Sequence, residues 1–249
     1  MHIDKLFEIE KTKRLKSYIK DNIFLNLISK INNLLAVKKY SYNFNWLGTP
    51  IIQNPSDMIL VQEVIFKVKP DLIIETGIAR AGSLIFYSTI LNMINKNAKI
   101  IGIDVDIRKH AKKSISNHNI KNIITVKGSS IDHNIFNKVQ LIAKKNKKIL
   151  VLLDSIHTHN HVLEELELYS KIISKNSYIV VFDTTPHYLD NKTLKIIKKN
   201  YPHFLSKKSN ARTAIDEFLY KNKKFRIDKE LNTRSLITNC HDGFLKKIS

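Results

Sequence analysis

The segment Asp154-Ser155-Ile156-His157-Thr158-His159-Asn160-His161 gathers an acid and three alternating imidazoles within eight positions. An imidazole titrating near pH 6.5 is a good acceptor for a proton from a substrate hydroxyl. The same alternation also suits zinc. However, metallohydrolase clusters of the H-x-H-x-D-H kind need an acid directly before the last histidine, where Asn160 stands here. A hard ion such as Mg2+ needs few protein carboxylates and could be held by Asp154 and Asp183. His159 and His161 have a plainer reading as surface residues at a helix start, and His161 is assigned to it.

Two further stretches suit a nucleotide-like cofactor. Glu75-Thr76-Gly77-Ile78-Ala79-Arg80-Ala81-Gly82-Ser83 has an acid, a glycine turn and a helix start, whose free N–H groups favour an anionic group. A phosphate-binding P-loop requires Lys and then Ser or Thr after its last glycine, but Ser83 and Leu84 follow Gly82. Ala79 replaces the middle glycine of a dinucleotide fingerprint, which weakens NAD without removing it. S-adenosylmethionine fits the loop best, and a tight turn without a ligand is the rival. In Gly102-Ile103-Asp104-Val105-Asp106, Asp104 could accept hydrogen bonds from both ribose hydroxyls of an adenosine-bearing cofactor. Ser129 and Ser130, after Gly128, could reach an adenine edge or cap the helix near Asp132.

These residues need a scaffold that places them along one edge. Apolar runs at Leu72–Glu75, Lys99–Asp104, Ile123–Lys127, Ile149–Asp154 and Tyr178–Asp183 read as strands. Helical periodicity over Ser83–Asn95, Arg108–Asn117, Asn134–Lys145 and His161–Ser174 alternates with them. Such alternation builds a parallel sheet with helices on both faces, and ligands bind at the carboxyl ends of its strands. Glu75, Asp104, Asp154 and Asp183 all fall at that edge. Residues 1–45 read as helices, starting with Ile3, Leu6 and Phe7, and 45–50 as an irregular connection. Ser56-Asp57 reads as the cap of a helix ended by Pro70. Beyond Pro186 the expectation is a loop plus one helix to Asn210, a helix over Arg212–Tyr220, closing strands at Phe225–Ile227 and Ser235–Asn239, and a turn at Asp242-Gly243.

Composition narrows the classes further. The chain has 249 residues, 43% hydrophobic, enough for one α/β domain with decorations. No apolar run approaches the roughly 18–20 residues needed to span a bilayer, and the charged N-terminus has no signal-peptide core. A soluble, cytoplasmic protein is expected. The lone Cys240 excludes a disulfide framework. The net charge of +20 comes from Lys pairs scattered over different segments. That pattern speaks against nucleic acid, which wants one basic face with interleaved aromatics. It is compatible with a solvated Lys-rich surface, an anionic small acceptor or an anionic membrane surface.

Several of these motifs together resemble the cephalosporin hydroxylase / rhamnosyl O-methyltransferase family. They are Trp46-Leu47-Gly48-Thr49-Pro50, the Glu75–Ser83 loop, Gly102–Arg108, Gly128-Ser129-Ser130, Leu153–His159 and Val180–Thr184, with Asn210–Leu219 and Ser235–Leu245 near the end. The resemblance covers about residues 42–248. It implies a Rossmann-like class I methyltransferase fold, S-adenosylmethionine as donor and methyl transfer to oxygen, here on a sugar of a surface glycan or its activated precursor. On this sequence the metal-holding roles of related sugar O-methyltransferases fall on Asp154 and Asp183, and the base role on His157. Glu75, Gly77, Ala79, Ser83, Asp104, Ser129, Ser130 and Asp154 should line the cofactor pocket. Phe182 and Ile156 stand where family members usually or often carry acids, which thins the carboxylate set. Domain limits of 1–45 for an N-terminal helical extension, serving as a lid or subunit interface, and 46–249 for the methyltransferase domain follow. The rival enzyme class is an oxidoreductase using a nicotinamide, a flavin or an iron held by His157, His159 and Asp154. An inactive scaffold is the non-enzyme alternative.

Overall fold

A computed structural model describes residues 4–200 and 206–249. Ile3 and residues 201–205, in the expected loop after Pro186, lie outside them. The chain opens with α1 (Lys5–Tyr18) and α2 (Asn22–Val37), capped by Asp4 and Asp21. The two helices contribute almost nothing to the core: α1 has no buried residue, and α2 only Asn33. Then β1 (Phe44–Trp46) and β2 (Thr49–Ile51) form a small antiparallel hairpin. This corrects the expected irregular connection. Its two-residue turn is Leu47-Gly48, both with positive φ, the geometry that matches the twist of paired strands.

The helix α3 (Pro55–Val68) starts one residue before the expected cap, with Asn54 as N-cap and proline at its first position. Asp57 therefore sits inside the first turn, fully buried, rather than capping it. After it come β3 (Leu72–Thr76), α4 (Gly82–Ile94), β4 (Lys99–Asp104), α5 (Lys109–Asn117), β5 (Ile123–Lys127), α6 (His133–Ala143), β6 (Ile149–Leu153), α7 (His159–Tyr169) and β7 (Tyr178–Val181). The five strands match the expected ones, except that Asp154 and Asp183 lie just past strand ends. The helix expected at His161–Ser174 begins at the first of its histidines and closes in turns after Tyr169.

The chain finishes with α8 (Asn191–Asn200), α9 (Ala211–Lys221), β8 (Phe225–Ile227), α10 (Lys229–Arg234) and β9 (Phe244–Lys247). The expected strand at Ser235–Asn239 is not formed, and β9 takes its place. Residues 235–239 instead satisfy their polar groups locally: the Thr238 hydroxyl and Asn239 N–H both donate to Asp57. The two lysines that end β9 hid its strand character. Lys247 runs its ammonium to the carbonyls of Ser170 and Ile173 while Phe244 and Leu245 are buried.

Seven strands form one sheet in the order β5-β4-β3-β6-β7-β9-β8, parallel from β5 to β7, with β9 antiparallel to both neighbours. Successive side chains of each strand enter opposite cores. Ile73, Ile100, Leu150, Leu152 and Val180 pack under α3 and α4. Ile74, Ile101, Val151, Leu153 and Val181 pack under α6, α7 and α9. Burial on both faces is why these strands read as continuous apolar runs. Chain order reverses between β3 and β6, which makes the carboxyl ends of those two strands the binding crevice of such a sheet.

The hairpin is pinned to the start of α4 by absence of a side chain. A Cβ on Gly82 would lie 2.3 Å from the Pro50 carbonyl oxygen. Gly82→Ala is expected to lower stability by about 1–3 kcal/mol, the usual cost of overpacking a close contact, read as a shifted urea midpoint at unchanged slope.

Candidate functional site

The loop after β3 sits directly on the loop after β6. Gly77 has φ +87°, and a Cβ there would be 2.0 Å from the Asp154 carbonyl oxygen, so only glycine fits. Ala79 and Ala81 follow with φ +43° and +67°. Asp104, at the end of β4, holds this strained turn: one carboxylate oxygen accepts the Ile78 N–H at 2.8 Å and the Ala79 N–H at 3.3 Å. Its other oxygen accepts the Asp106 N–H at 2.9 Å. Asp104 thus shapes the loop as well as facing a cavity of about 250 Å3, shared with Gly77, Ala79, Ser129, Ser130 and Asp154.

Glu75 lies deeper than expected. It is fully buried, with one oxygen accepting the Ser83 hydroxyl at 2.8 Å and the other the Tyr87 hydroxyl at 3.0 Å. Burial pushes its pKa up to about 8, against the two hydroxyl donors that favour the anion. The carboxyl therefore braces α4 against β3 from beneath the loop. Ser83 itself faces a narrow cleft between the hairpin and the loop, together with Gly77, Arg80, Gly82 and Asp154.

Past β6 the histidines part company. His157 Nε2 lies 3.1 Å from Asp183 Oδ2 and 4.0 Å from Asp154 Oδ1. Donor atoms of Asp154, His157 and Asp183 all fall within 4.8 Å of one another, the single such grouping among the described residues. His159 turns away. Its ring nitrogens meet the Thr213 hydroxyl at 2.8 Å and Glu217 at 3.0 Å, which ties α7 to α9. The triad of His157, His159 and Asp154 that an iron centre would need is not assembled, nor is a three-histidine zinc site. His161 is no surface residue either: its side chain is only 10% exposed. Its Nε2 lies 3.1 Å from the hydroxyls of both Ser130 and Ser155, beside the buried Glu165. It thereby joins the wall beyond β5 to the loop beyond β6.

Protein crowds the Asp154 carboxylate, and burial pushes its pKa up to about 8. His157 pulls the other way, while Asp183 and Glu75 add to the rise. Two carboxyl groups and an imidazole whose donor atoms converge fit a divalent cation that keeps some of its own water. Phe182 is buried in the core and Ile156 is half exposed, so neither position can add an oxygen.

Asp183 has φ +53°, a conformation that must be held by its surroundings. Thr184 N–H donates to the Asn239 carbonyl at 3.0 Å, and the Thr185 hydroxyl to the Thr238 carbonyl at 3.1 Å. Asp57 in turn fixes Thr238 and Asn239, and burial raises its own pKa to about 7. The motif reading missed Asp57 and His161 because each looks like a helix-start residue. An acid three places past an asparagine-proline start was the signal available for the first.

A cavity of about 320 Å3 opens over this trio, between α2 and the segment after β7. Asp154, His157 and Asp183 form its base, and Leu35, Ala36, Tyr40, Pro186 and Leu189 are among its walls. Three cavities therefore meet at Asp154, which lines each of them.

The reversal point between β3 and β6, with the acidic loop ends around it, defines a Rossmann-like α/β fold of the methyltransferase type. Solved structures of CmcI share it. An apo form superposes with a TM-score of 0.62 at 16% identity, covering 84% of this chain and 77% of that one. A form described as containing Mg and SAM gives 0.57 at 16%, with 84% and 78% coverage. The chain belongs to the Rhamnosyl O-methyltransferase/CmcI family, whose model matches residues 38–248. A curated relative, the rhamnosyl O-methyltransferase of Mycobacterium bovis BCG, is 29% identical over 153 residues, which is 59% of this chain and 61% of the relative. The chain thus spans about three fifths of the length of the curated relatives it matches. Among the described residues no helix is long and apolar enough to cross a membrane.

Because Glu75 holds its proton to about pH 8 when folded and loses it near 4.5 when unfolded, its contribution to stability is complete below pH 4.5 and fades as the pH rises to 8. Glu75→Gln removes that titration. The native chain minus variant stability difference should fall steadily across this interval in urea titrations at several pH values, and a flat difference would contradict the buried acid.

Proposed function

We propose that the chain is an S-adenosylmethionine-dependent O-methyltransferase acting on a hydroxyl of a sugar, in a surface glycan or its activated precursor. The meeting of three cavities at Asp154 carries this reading, since a methyl donor has three parts to place: adenosine, methionine and the transferred carbon. The adenosine belongs in the cavity of Asp104, Ser129 and Ser130, with the ribose hydroxyls on Asp104. The methionine end belongs in the cleft at the start of α4, lined by Gly82 and Ser83, where the helix N-terminus favours a carboxylate. The sulfonium methyl then points toward the acidic trio. The family relatives named as rhamnosyl O-methyltransferases, and the CmcI form described with Mg and SAM, support both donor and acceptor class.

Methyl transfer is an in-line displacement. The acceptor oxygen forms a bond to the methyl carbon while the carbon–sulfur bond breaks, its electron pair staying on sulfur to give S-adenosylhomocysteine. The enzyme supplies position and takes the proton. His157 is the only imidazole of its segment that faces the acceptor cavity, and its Nε2 accepts the hydroxyl proton. Asp183, 3.1 Å away, then stabilises the imidazolium. A divalent cation on Asp154 and Asp183 would supply Lewis acidity that lowers the hydroxyl pKa.

Thermal shift separates the cofactor readings. S-adenosylmethionine and S-adenosylhomocysteine should raise Tm by mass action and NAD should not. His157→Ala should lower kcat by about 10²–10⁴-fold, the range for losing a general base, with S-adenosylhomocysteine affinity within about twofold. Normal turnover in that variant would refute the base role.

A further inference from the structure

Every fourth residue on one face of α7 is polar and turned inward: His161, Glu165 and Tyr169. Glu165 and Tyr169 are fully buried, and the His161 side chain nearly so. Between them they hold Ser130 and Ser155, which line the cavity of Asp104 together with His161. Tyr169 donates its hydroxyl to the Ser130 carbonyl at 3.0 Å, and Ser155 donates its own to Glu165 Oε1 at 2.7 Å. Glu165 Oε2 is buried with no hydrogen-bond partner among the described residues. These contacts fix where the protons lie. A serine hydroxyl has a single proton. That of Ser155 is committed to Glu165, so Ser155 Oγ offers only lone pairs to His161 Nε2, 3.1 Å away. Glu165 Oε1 adds a further acceptor at 3.5 Å. A bare ring nitrogen would be repelled by both, and a buried acid needs a proton donor close by. His161 Nε2 therefore carries hydrogen, shared with Ser130 Oγ, also at 3.1 Å. Ser130 accepts from His161 and keeps its own proton. It meets no other partner among the described residues, so that proton is left for whatever fills the cavity.

We infer that Glu165, Ser155 and His161 form a directional hydrogen-bond relay that holds the Ser130 hydroxyl as a donor to a ring nitrogen of the cofactor's purine base. This deepens the methyltransferase reading and rests on it for the identity of the ligand. Around its ring adenine presents acceptor nitrogens, with a donor only at the exocyclic amine. A hydroxyl free to rotate pairs with a donor or an acceptor alike. One held as a donor pairs only with an acceptor, and is stranded where C–H replaces the nitrogen. Glu165 acts through Ser155, His161 and Ser130 and is a positioning residue: it sets the order of the protons, and Ser130 delivers the contact.

The test has two arms on the full chain. Long-range nitrogen–proton spectra of histidine-labelled protein without ligand, with His161 assigned by its loss in His161→Gln, should show hydrogen on Nε2. Calorimetry then compares S-adenosylhomocysteine with its 1-deaza, 3-deaza and 7-deaza analogues, each with C–H in place of one ring nitrogen. At least one analogue should bind about fivefold or more weakly than the parent, the effect of stranding one donor. Ser130→Ala should bring that analogue within twofold of the parent. So should Glu165→Met, which frees the Ser155 proton for His161. In that variant the ring hydrogen should move to Nδ1 in the same spectra, a change that mere support of the fold would not produce. A bare Nε2 in the native chain, three analogues that bind like the parent, or a penalty that survives in either variant with native circular dichroism overturns the relay. Should Glu165→Met fail to fold, Ser130→Ala and the native spectra decide it. Lack of heat with S-adenosylhomocysteine sinks the methyltransferase reading and the base contact with it, while the spectra still decide the order of the protons.

Discussion

Where Gly77 would carry a Cβ, the carbonyl oxygen of Asp154 stands 2.0 Å from the position. That contact lets two neighbouring strands end in loops that touch without an intervening side chain. Every feature of the site depends on the closeness it permits. Asp154 borders the cavity of Asp104, the cleft at α4 and the cavity over His157 because nothing separates its loop from the turn after β3. Asp104 completes the arrangement by holding the turn's N–H groups, so that a single carboxylate pins the backbone and still borders the pocket.

Around this contact the carboxyls fall into two kinds. Glu75 and Asp57 are fully buried and each is answered by neutral donors, hydroxyls or a backbone N–H. They brace α4 and the segment before β9. Asp154 and Asp183 face a cavity and share one imidazole between them. A buried acid with hydrogen-bonded oxygens stabilises a shape, whereas one left facing open space beside another acid is poised to meet a cation or a proton.

Much of this was legible in residue order. Strands buried on both faces announce themselves as apolar runs, and the acids that follow them mark the edge where ligands gather, so β3 to β7 and the roles proposed for Asp104, Asp154 and Asp183 could be placed from the chain alone. What escaped notice shares a cause. The three histidines after Asp154 look equivalent in a one-dimensional string, yet His157 faces the cavity over Asp154 and Asp183, His159 meets α9 and His161 the loop after β5, since a helix start turns successive side chains in different directions. Asp57 looked like a cap because its partners, Thr238 and Asn239, lie 181 and 182 positions away. Strand β9 was obscured by lysines whose stems lie along the sheet. A cavity between α1, α2 and Leu236 had no sequence signature, as residues from the two ends of the chain line it together.

The β1–β2 hairpin that roofs the start of α4 also carries the chain's only tryptophan. Trp46 packs edge-on against Phe86 with ring centroids 4.8 Å apart, and its indole N–H donates to the Thr89 hydroxyl at 3.2 Å. Its ring is thus coupled to the helix whose first residues, Gly82 and Ser83, border the cleft beside Asp154. The protein carries a built-in fluorophore at that place: its emission, free of any competing indole, reports optically on how the roof settles.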